Sequence, residues 1–89
     1  MLLINLSKQS DKFLDKLPPK QFKQIVKELF RLAKNPEQQD IIKLKGSDDF
    51  FRKDVGEYRI IYKTDSEILY ITVVGKRNDD EVYKIFDRK

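Results

Sequence analysis

Apolar and polar residues alternate with two different periods along this chain, and the change of period separates a helical part from a strand-rich part. Apolar residues recur every three or four positions over residues 19–34, which predicts an amphipathic helix. After a polar loop the period becomes two, which is typical of half-buried strands. The predicted strands span residues 42–45, 50–55, 58–64 and 67–77.

Cap and turn residues set the predicted boundaries in the first part of the chain. A strand over residues 2–6 precedes Ser7 and Ser10, either of which can cap a short helix. The pair Pro18-Pro19 ends that helix and can open the next one, because proline is favoured in the first helical turn.

These elements together predict a small α+β fold. Consecutive strands joined by tight turns pair as hairpins, and the acidic run before Val82 can cap a last short helix rather than bind a metal. We therefore predict a single domain over residues 1–89, with an N-terminal strand, a helical hairpin, then an antiparallel β-sheet with a short C-terminal helix.

The long helix carries an apolar stripe and, opposite it, a basic one. The predicted core stripe consists of Phe22, Ile25, Val26, Leu29, Leu32 and Ala33. With about 100° between successive residues, five basic side chains fall within an arc of about 80°. This basic arc consists of Lys20, Lys23, Lys27, Arg31 and Lys34. It is either a surface that contacts phosphates or an ordinary solvated face, and the net charge of +4 fits a nucleic-acid partner.

Composition limits the chemistry and the location. The sequence lacks cysteine and histidine, so disulfides, thiolate metal sites and histidine-based proton transfer are excluded, and we expect no metal and no other cofactor. No apolar run approaches the ~18 residues of a membrane span, and the start lacks the basic flank and cleavage site of a signal peptide. A cytoplasmic protein that does not enter membranes is expected.

Short motifs follow one another in the strand-rich part. They are Lys43-Leu44-Lys45-Gly46, Phe51-Arg52, Val55-Gly56-Glu57-Tyr58-Arg59-Ile60-Ile61-Tyr62, Val74-Gly75-Lys76-Arg77 and Glu81-Val82-Tyr83. In this order and spacing they resemble the RelE/ParE superfamily, the toxins of type II toxin–antitoxin systems, over residues 43–84. The two upstream helices also lie where that family has its helical hairpin.

The resemblance implies an endoribonuclease. Nuclease members cut messenger RNA without metal, many of them only on the ribosome, and so arrest translation. They use arginines on the hairpin strands and a C-terminal tyrosine, positions matched here by Arg59, Arg77 and Tyr83. The resemblance also implies a toxin that is monomeric when free and forms a hetero-oligomer with a cognate antitoxin. The acidic antitoxin segment is expected to bury the sheet edge or displace the final helix.

One strand departs from the nuclease pattern of two basic residues at alternate positions. Arg52 fills the first position, whereas Asp54 stands at the second, as a base or as a brake. Lys53 and Lys76 could exchange a proton if neighbouring cations depress their pKa, but a regular strand points Lys53 to the opposite face. The candidates for RNA contact are Lys43, Lys45 and Lys76. For Lys43 and Lys45, which flank a glycine turn, the alternative is that they only solubilise an edge of the sheet.

Strand register affects whether the two motif arginines can meet. A two-residue turn at Asp65-Ser66 pairs Arg59 with Thr72, and alternation then puts Arg59 and Arg77 on opposite faces. A bulge at Gly75 or a three-residue loop would reunite them. Both arginines could instead form structural bridges with nearby carboxylates. Two other functions therefore stay open: an inhibitor of DNA gyrase without catalytic activity, as in ParE-type relatives, and a decayed toxin that only binds its antitoxin.

Overall fold

The computed structural model describes residues 1–37, 41–44, 46, 49–78 and 81–87. It confirms the predicted α+β class with an N-terminal strand, a helical hairpin and a C-terminal helix. The elements in chain order are β1 (Leu3–Leu6), α1 (Lys8–Asp15), α2 (Pro19–Lys34), β2 (Ile42–Lys43), β3 (Phe51–Val55), β4 (Tyr58–Thr64), β5 (Ile68–Lys76) and α3 (Glu81–Asp87).

The five described strands form one sheet in the order β1-β5-β4-β3-β2. Strands β2 to β5 pair antiparallel, as the hairpin pattern predicts, whereas β1 pairs in parallel with β5 and places Leu3 opposite Ile68. A parallel neighbour cannot follow through a tight turn, and here both helices and the strands β2 to β4 lie between β1 and β5 in the chain. The sheet is therefore mixed.

Helices α1 and α2 cover one face of the sheet. Ile25 and Leu32 of α2 are fully buried against Ile60 and Tyr62 of β4 in the main apolar cluster. Each such side chain contributes about 1.5–3 kcal/mol through its removal from water. Tyr58 of the same strand is also buried here.

The predicted stripe on α2 is correct at its centre and wrong at its margins. Phe22 is 40% exposed and Val26 is only partly buried, because they line an open groove beside β1. Glu28, which the helical period left outside the core, is buried instead, and its Oε1 accepts a hydrogen bond from Arg31 at 3.4 Å.

The opposite face is covered by α3 alone among the described helices. Val82 packs with Ile61, Val73 and Leu44 in a second, smaller apolar cluster. Gly75 permits this packing, since a Cβ atom at that position would lie 2.9 Å from Val82 Cγ1. Close approach of α3 to β5 therefore depends on the absence of a side chain at Gly75.

A β-bulge in β5 puts Arg59 and Arg77 on the same side of the sheet. Tyr62 pairs with Ile71 but Ile61 pairs with Val73, so β5 contains one extra residue at Thr72. The bulge shifts the alternation, and Arg59 comes to lie opposite Gly75. The predicted pairing of Arg59 with Thr72 is thus wrong. Of the two alternatives that would reunite the arginines, a bulge is present, but it lies at Thr72 because Gly75 itself stays in regular pairing.

The start of α1 holds the bulge in place. Ser7 caps α1 and also donates from its Oγ to the carbonyl oxygen of Thr72 at 2.7 Å. The amide of Gln9 both donates to Val74 O at 2.8 Å and accepts from Val74 N at 3.0 Å, and so continues the ladder where β1 has ended. These bonds satisfy strand groups that no neighbouring strand reaches.

Candidate active site on the α3 face

Arg59 and Asp54 form the centre of the candidate site. They lie directly opposite each other on β4 and β3. The guanidinium of Arg59 donates through Nε to Asp54 Oδ1 at 2.6 Å and through Nη2 to Oδ2 at 3.1 Å. This two-point contact matches a planar fork to the two oxygens of an anion.

Arg77 approaches the same carboxylate from the end of β5. Its Nη1 lies 3.7 Å from Asp54 Oδ2, and its backbone N–H donates to Glu57 O at 3.1 Å. The side chain of Arg77 is 51% exposed, whereas that of Arg59 is 12% exposed. Arg59 is therefore the more buried cation of the site, held by the two-point contact, and Arg77 is the more exposed cation at the edge of the site.

Tyr83 of α3 completes the cluster. Its Oη accepts hydrogen bonds from Arg52 Nη1 at 2.9 Å and from Arg59 Nη1 at 3.1 Å. The Arg59 guanidinium carbon also lies 5.4 Å from the centre of the Tyr83 ring. Since both contacts use lone pairs of the phenol oxygen, its O–H remains available to donate to another group. We call Arg52, Arg59, Arg77 and Tyr83 the arginine–tyrosine cluster.

Electrostatics within the cluster are dominated by the contact between Arg59 and Asp54. The hydrogen bonds from Arg59 hold the pKa of the Asp54 carboxyl below its usual value, and the charges of Arg59, Arg52 and Arg77 act in the same direction against partial burial. The same hydrogen bonds raise the pKa of Arg59. Asp54 is therefore ionised at neutral pH and is a poor proton acceptor, which argues against its predicted alternative as a base.

A groove adjoins the cluster. It has a volume of about 470 Å³ and runs between β2 and α3, with Lys43 and Phe86 among its lining residues together with Arg52 and Tyr83. Lys43 is exposed at this groove, where the sequence predicted an RNA contact. Leu44 and Asp87 also line it, so its wall combines apolar and charged groups.

The structure does not bring every predicted site residue to this cluster. Lys53 of β3 is buried on the face that α1 and α2 cover. No bulge in the pairing of β3 with β4 redirects its side chain to the face of the cluster. Lys76 lies opposite the core residue Tyr58 and is exposed at the end of β5 on that same face. Alternation along the strands thus removes both lysines from the site. Lys45 lies outside the described residues.

The basic arc lies on α2 and hence on the other side of the sheet from the cluster. All five of its residues are exposed. Arg31 is partly neutralised by Glu28, at 3.4 Å. The arc therefore cannot take part in chemistry at Arg59, and any contact that it makes with nucleic acid is one of positioning.

An apolar groove follows the edge strand β1. It has a volume of about 490 Å³ between β1, α1 and α2. Large apolar side chains that line it are exposed, among them Leu3 at 70%, Phe30 at 47% and Phe22 at 40%. A patch of this kind beside the free edge of a sheet is typical of a protein-binding surface.

Neither a metal-binding group nor a membrane-spanning helix occurs in the part of the chain that the structure describes. No group of three or more potential metal ligands is found among these residues, although two aspartates of the acidic run before Val82 are outside the described part. None of the described helices is both long and apolar enough to cross a membrane.

The fold and the cluster together define a class of protein. The family described as the ParE toxin of the type II toxin–antitoxin system parDE matches residues 4–81. The chain therefore belongs to the RelE/ParE superfamily of type II toxins, as the motifs from Lys43 to Tyr83 predict.

Individual relatives are of the RelE type. A curated protein of Methanocaldococcus jannaschii, provisionally named toxin RelE1, is 33% identical in an alignment of 79 residues that covers 83% of this chain and 88% of that protein. The RelE of the RelE–RelB complex from Pyrococcus horikoshii is 27% identical, with a TM-score of 0.73 over 86% of this chain and 96% of that one. A free E. coli RelE variant with two arginines changed to alanine shares the fold, with a TM-score of 0.77, 23% identity and coverage of 93% and 90%.

Two features of the site could not be recognised from single residues. The bulge at Thr72 depends on Ser7, which is 65 residues away in sequence, and no local pattern marks it. Gly75 was singled out as unusual in a strand, but its role is to admit Val82 rather than to bend the backbone.

Proposed function

We propose that this toxin is a metal-independent endoribonuclease that cleaves messenger RNA in the cytoplasm, with the ribosome as the place of cleavage. The observation that carries the proposal is the convergence of Arg52 and Arg59 on Tyr83 Oη, at 2.9 and 3.1 Å, beside a carboxylate held by Arg59 and Arg77. Three guanidinium groups against one carboxylate leave a positively charged pocket suited to a phosphodiester.

The proposed reaction begins with the 2′-hydroxyl of the substrate. The hydroxyl gives up its proton to water while its oxygen attacks the adjacent phosphorus. The bond from phosphorus to the 5′-oxygen breaks, the departing 5′-oxygen takes up a proton from water, and a 2′,3′-cyclic phosphate and a 5′-hydroxyl result. Negative charge builds up on the phosphorane oxygens, where Arg59 and Arg77 would lie as fixed donors. Tyr83 would stack on a base or orient the 2′-hydroxyl, and Arg52 would hold Tyr83.

Two further surfaces fit this function. The basic arc on α2 would contact ribosomal RNA, because phosphate contacts orient a protein without reading sequence. The apolar groove beside β1 would receive the cognate antitoxin, since a partner strand or helix there would cover Leu3, Phe22 and Phe30. Inhibition through the antitoxin would then result from burial of this edge or from displacement of α3.

The test uses purified toxin with programmed ribosomes and, separately, with free RNA in the presence of chelator. We expect cuts within the message that carry 5′-hydroxyl ends, and loss of these cuts in Arg59→Ala and Tyr83→Ala. Tyr83→Phe separates the two roles of Tyr83, because it keeps the ring that would stack and removes the hydroxyl. Cleavage of free RNA, where it occurs, should be unaffected by chelator. Intact RNA together with inhibited DNA gyrase would instead establish the noncatalytic alternative.

A further inference from the structure

We propose that Asp54 is an internal competitor of the substrate phosphate, a carboxylate that fills the anion position of the cluster until RNA displaces it. The inference rests on the proposed nuclease function for its biological meaning. The competition itself, between the carboxylate of Asp54 and a phosphate, can be measured without any cleavage of RNA.

Asp54 occupies the hydrogen-bond donors that a bound phosphate would use. Asp54 offers its two oxygens to Nε and Nη2 of Arg59 at 2.6 and 3.1 Å, while Arg77 Nη1 approaches Oδ2 to 3.7 Å. Two oxygens of a phosphodiester would use the same donors in the same fork. Both anions cannot occupy these donors at once, so one must leave before the other binds.

The surroundings of Asp54 make this exchange feasible. Its side chain is 36% exposed, so it can swing into water when it is displaced. Arg59, in contrast, is held from a second direction by Tyr83 Oη and is 12% exposed. The cation therefore stays in place while the anion can leave, which is the arrangement that competition requires.

Two other roles for Asp54 fit less well. A general base needs a carboxyl that accepts protons readily, but the hydrogen bonds from Arg59 keep the pKa of Asp54 below its usual value. A purely structural cross-strand bridge would join β3 to β4 and would stabilise the hairpin. A bridge that stays closed while phosphate binds elsewhere would, when Asp54 is replaced, give only the modest gain in phosphate affinity that follows from removal of a nearby, screened charge. The larger gain expected of a direct competitor separates the two roles.

The experiment titrates inorganic phosphate into the isolated toxin and follows the arginine side-chain N–H signals by NMR. The variants are Asp54→Asn, which keeps the shape of the side chain, and Asp54→Ala, which removes it. The matched control is Glu67→Gln, an equal change of charge in the loop at the far end of β4. Thermal unfolding of each protein verifies that it is folded.

We expect both Asp54 variants to bind phosphate more tightly than the unmodified chain by about tenfold or more, because a charge-assisted contact no longer has to be broken. Glu67→Gln should change affinity by less than about twofold, since it alters only a distant, exposed charge. Equal affinity in the unmodified chain and in folded Asp54→Asn and Asp54→Ala would overturn the inference. So would an increase of the same size in Glu67→Gln.

The outcome is separable from that of the nuclease proposal. Tighter phosphate binding by Asp54→Asn without RNA cleavage by any form would support the competitor and contradict the nuclease. Cleavage by the unmodified chain with unchanged phosphate affinity in Asp54→Asn would do the reverse.

Discussion

The two faces of the sheet differ in how completely they are covered, and β4 shows the difference within one strand. Tyr58, Ile60 and Tyr62 point to the helices and are buried, whereas Arg59 between them points to the other face and keeps some contact with water. One face is covered by α1 and by α2, which has 16 residues, the other by α3, which has seven. Charged groups lose less hydration on a partly covered face, so the chain can place reactive cations there.

The face covered by α1 and α2 is expected to govern stability, and the face covered by α3 is expected to govern chemistry. This division can be tested by variants that act on one face and leave the other unchanged. The expected effect is largest for loss of Arg59 on the rate of RNA cleavage, and smallest for loss of the Asp54 charge on the pH dependence of unfolding.

The largest effect is expected for Arg59→Ala. Removal of one donor aimed at developing charge typically costs about 2.7–4 kcal/mol in the transition state, so RNA cleavage should slow by about 10²–10³-fold. Arg77→Ala should also abolish growth arrest. Cleavage rates and thermal unfolding of the same preparations check this, with Lys12→Ala on exposed α1 as the control. Normal toxicity in both arginine variants would remove them from the mechanism.

A smaller effect is expected where α3 meets the sheet. In Gly75→Ala the new Cβ would lie 2.9 Å from Val82 Cγ1, and such overpacking typically costs about 1–3 kcal/mol of unfolding free energy. Since α3 carries Tyr83, cleavage should also fall.

The double variant Gly75→Ala/Val82→Ala serves as the control for that contact. Removal of the Val82 methyl groups makes room, so its destabilisation should be smaller than the sum of the two single variants. Denaturant unfolding measures all four proteins. Strictly additive changes in unfolding free energy would show that the side chains at positions 75 and 82 are not in steric conflict.

The basic arc should affect association but not stability. Replacement of Lys23, Lys27 and Arg31 together by Gln should weaken ribosome binding and flatten its salt dependence by about one unit of slope for each phosphate that the variant no longer neutralises. Unfolding free energy should change by about 0.5 kcal/mol or less at each exposed position, with a somewhat larger effect at Arg31, which contacts Glu28. Unaltered ribosome affinity and slope would make the arc an ordinary solvated face.

The smallest effect concerns pH. Because the pKa of Asp54 is lowered in the folded state, its contribution to stability is present above the ordinary aspartate pKa of 3.8 and is lost as pH falls through the lower folded value. Asp54→Asn should therefore unfold with a flatter dependence on pH below that point, measured as Tm between about pH 5 and 2. Parallel curves for the variant and the unmodified chain would show that the ion pair with Arg59 does not form in solution.

Local sequence signals were sufficient for most of the fold. Helix α2 spans Pro19–Lys34, as predicted, because Pro19 fits the first turn and Asn35-Pro36 stops the last one. The strands β3 and β4 were predicted to within a residue, because Gly56 marks the turn between them. Gly56 adopts a φ of 58° there, a conformation that favours glycine. These elements depend on neighbours in sequence.

The site was less predictable because it depends on contacts between distant residues. Arg59, Arg77 and Tyr83 were found through their motifs, yet their meeting requires a bulge fixed by Ser7. Lys53 was a candidate because it is basic, and its burial follows the strand alternation that already pointed it to the opposite face. The register between β4 and β5, in contrast, cannot be derived from composition when the turn between them allows several lengths.

RNA cleavage by the α3 face is tested most directly by mapping messenger RNA 5′ ends in cells after induced expression of the toxin and of Arg59→Ala. If the α3 face cleaves RNA, the unmodified chain will produce new 5′-hydroxyl ends inside reading frames and stop growth, and Arg59→Ala will produce neither. DNA breaks with intact RNA, or the same cuts from both proteins, would contradict the account.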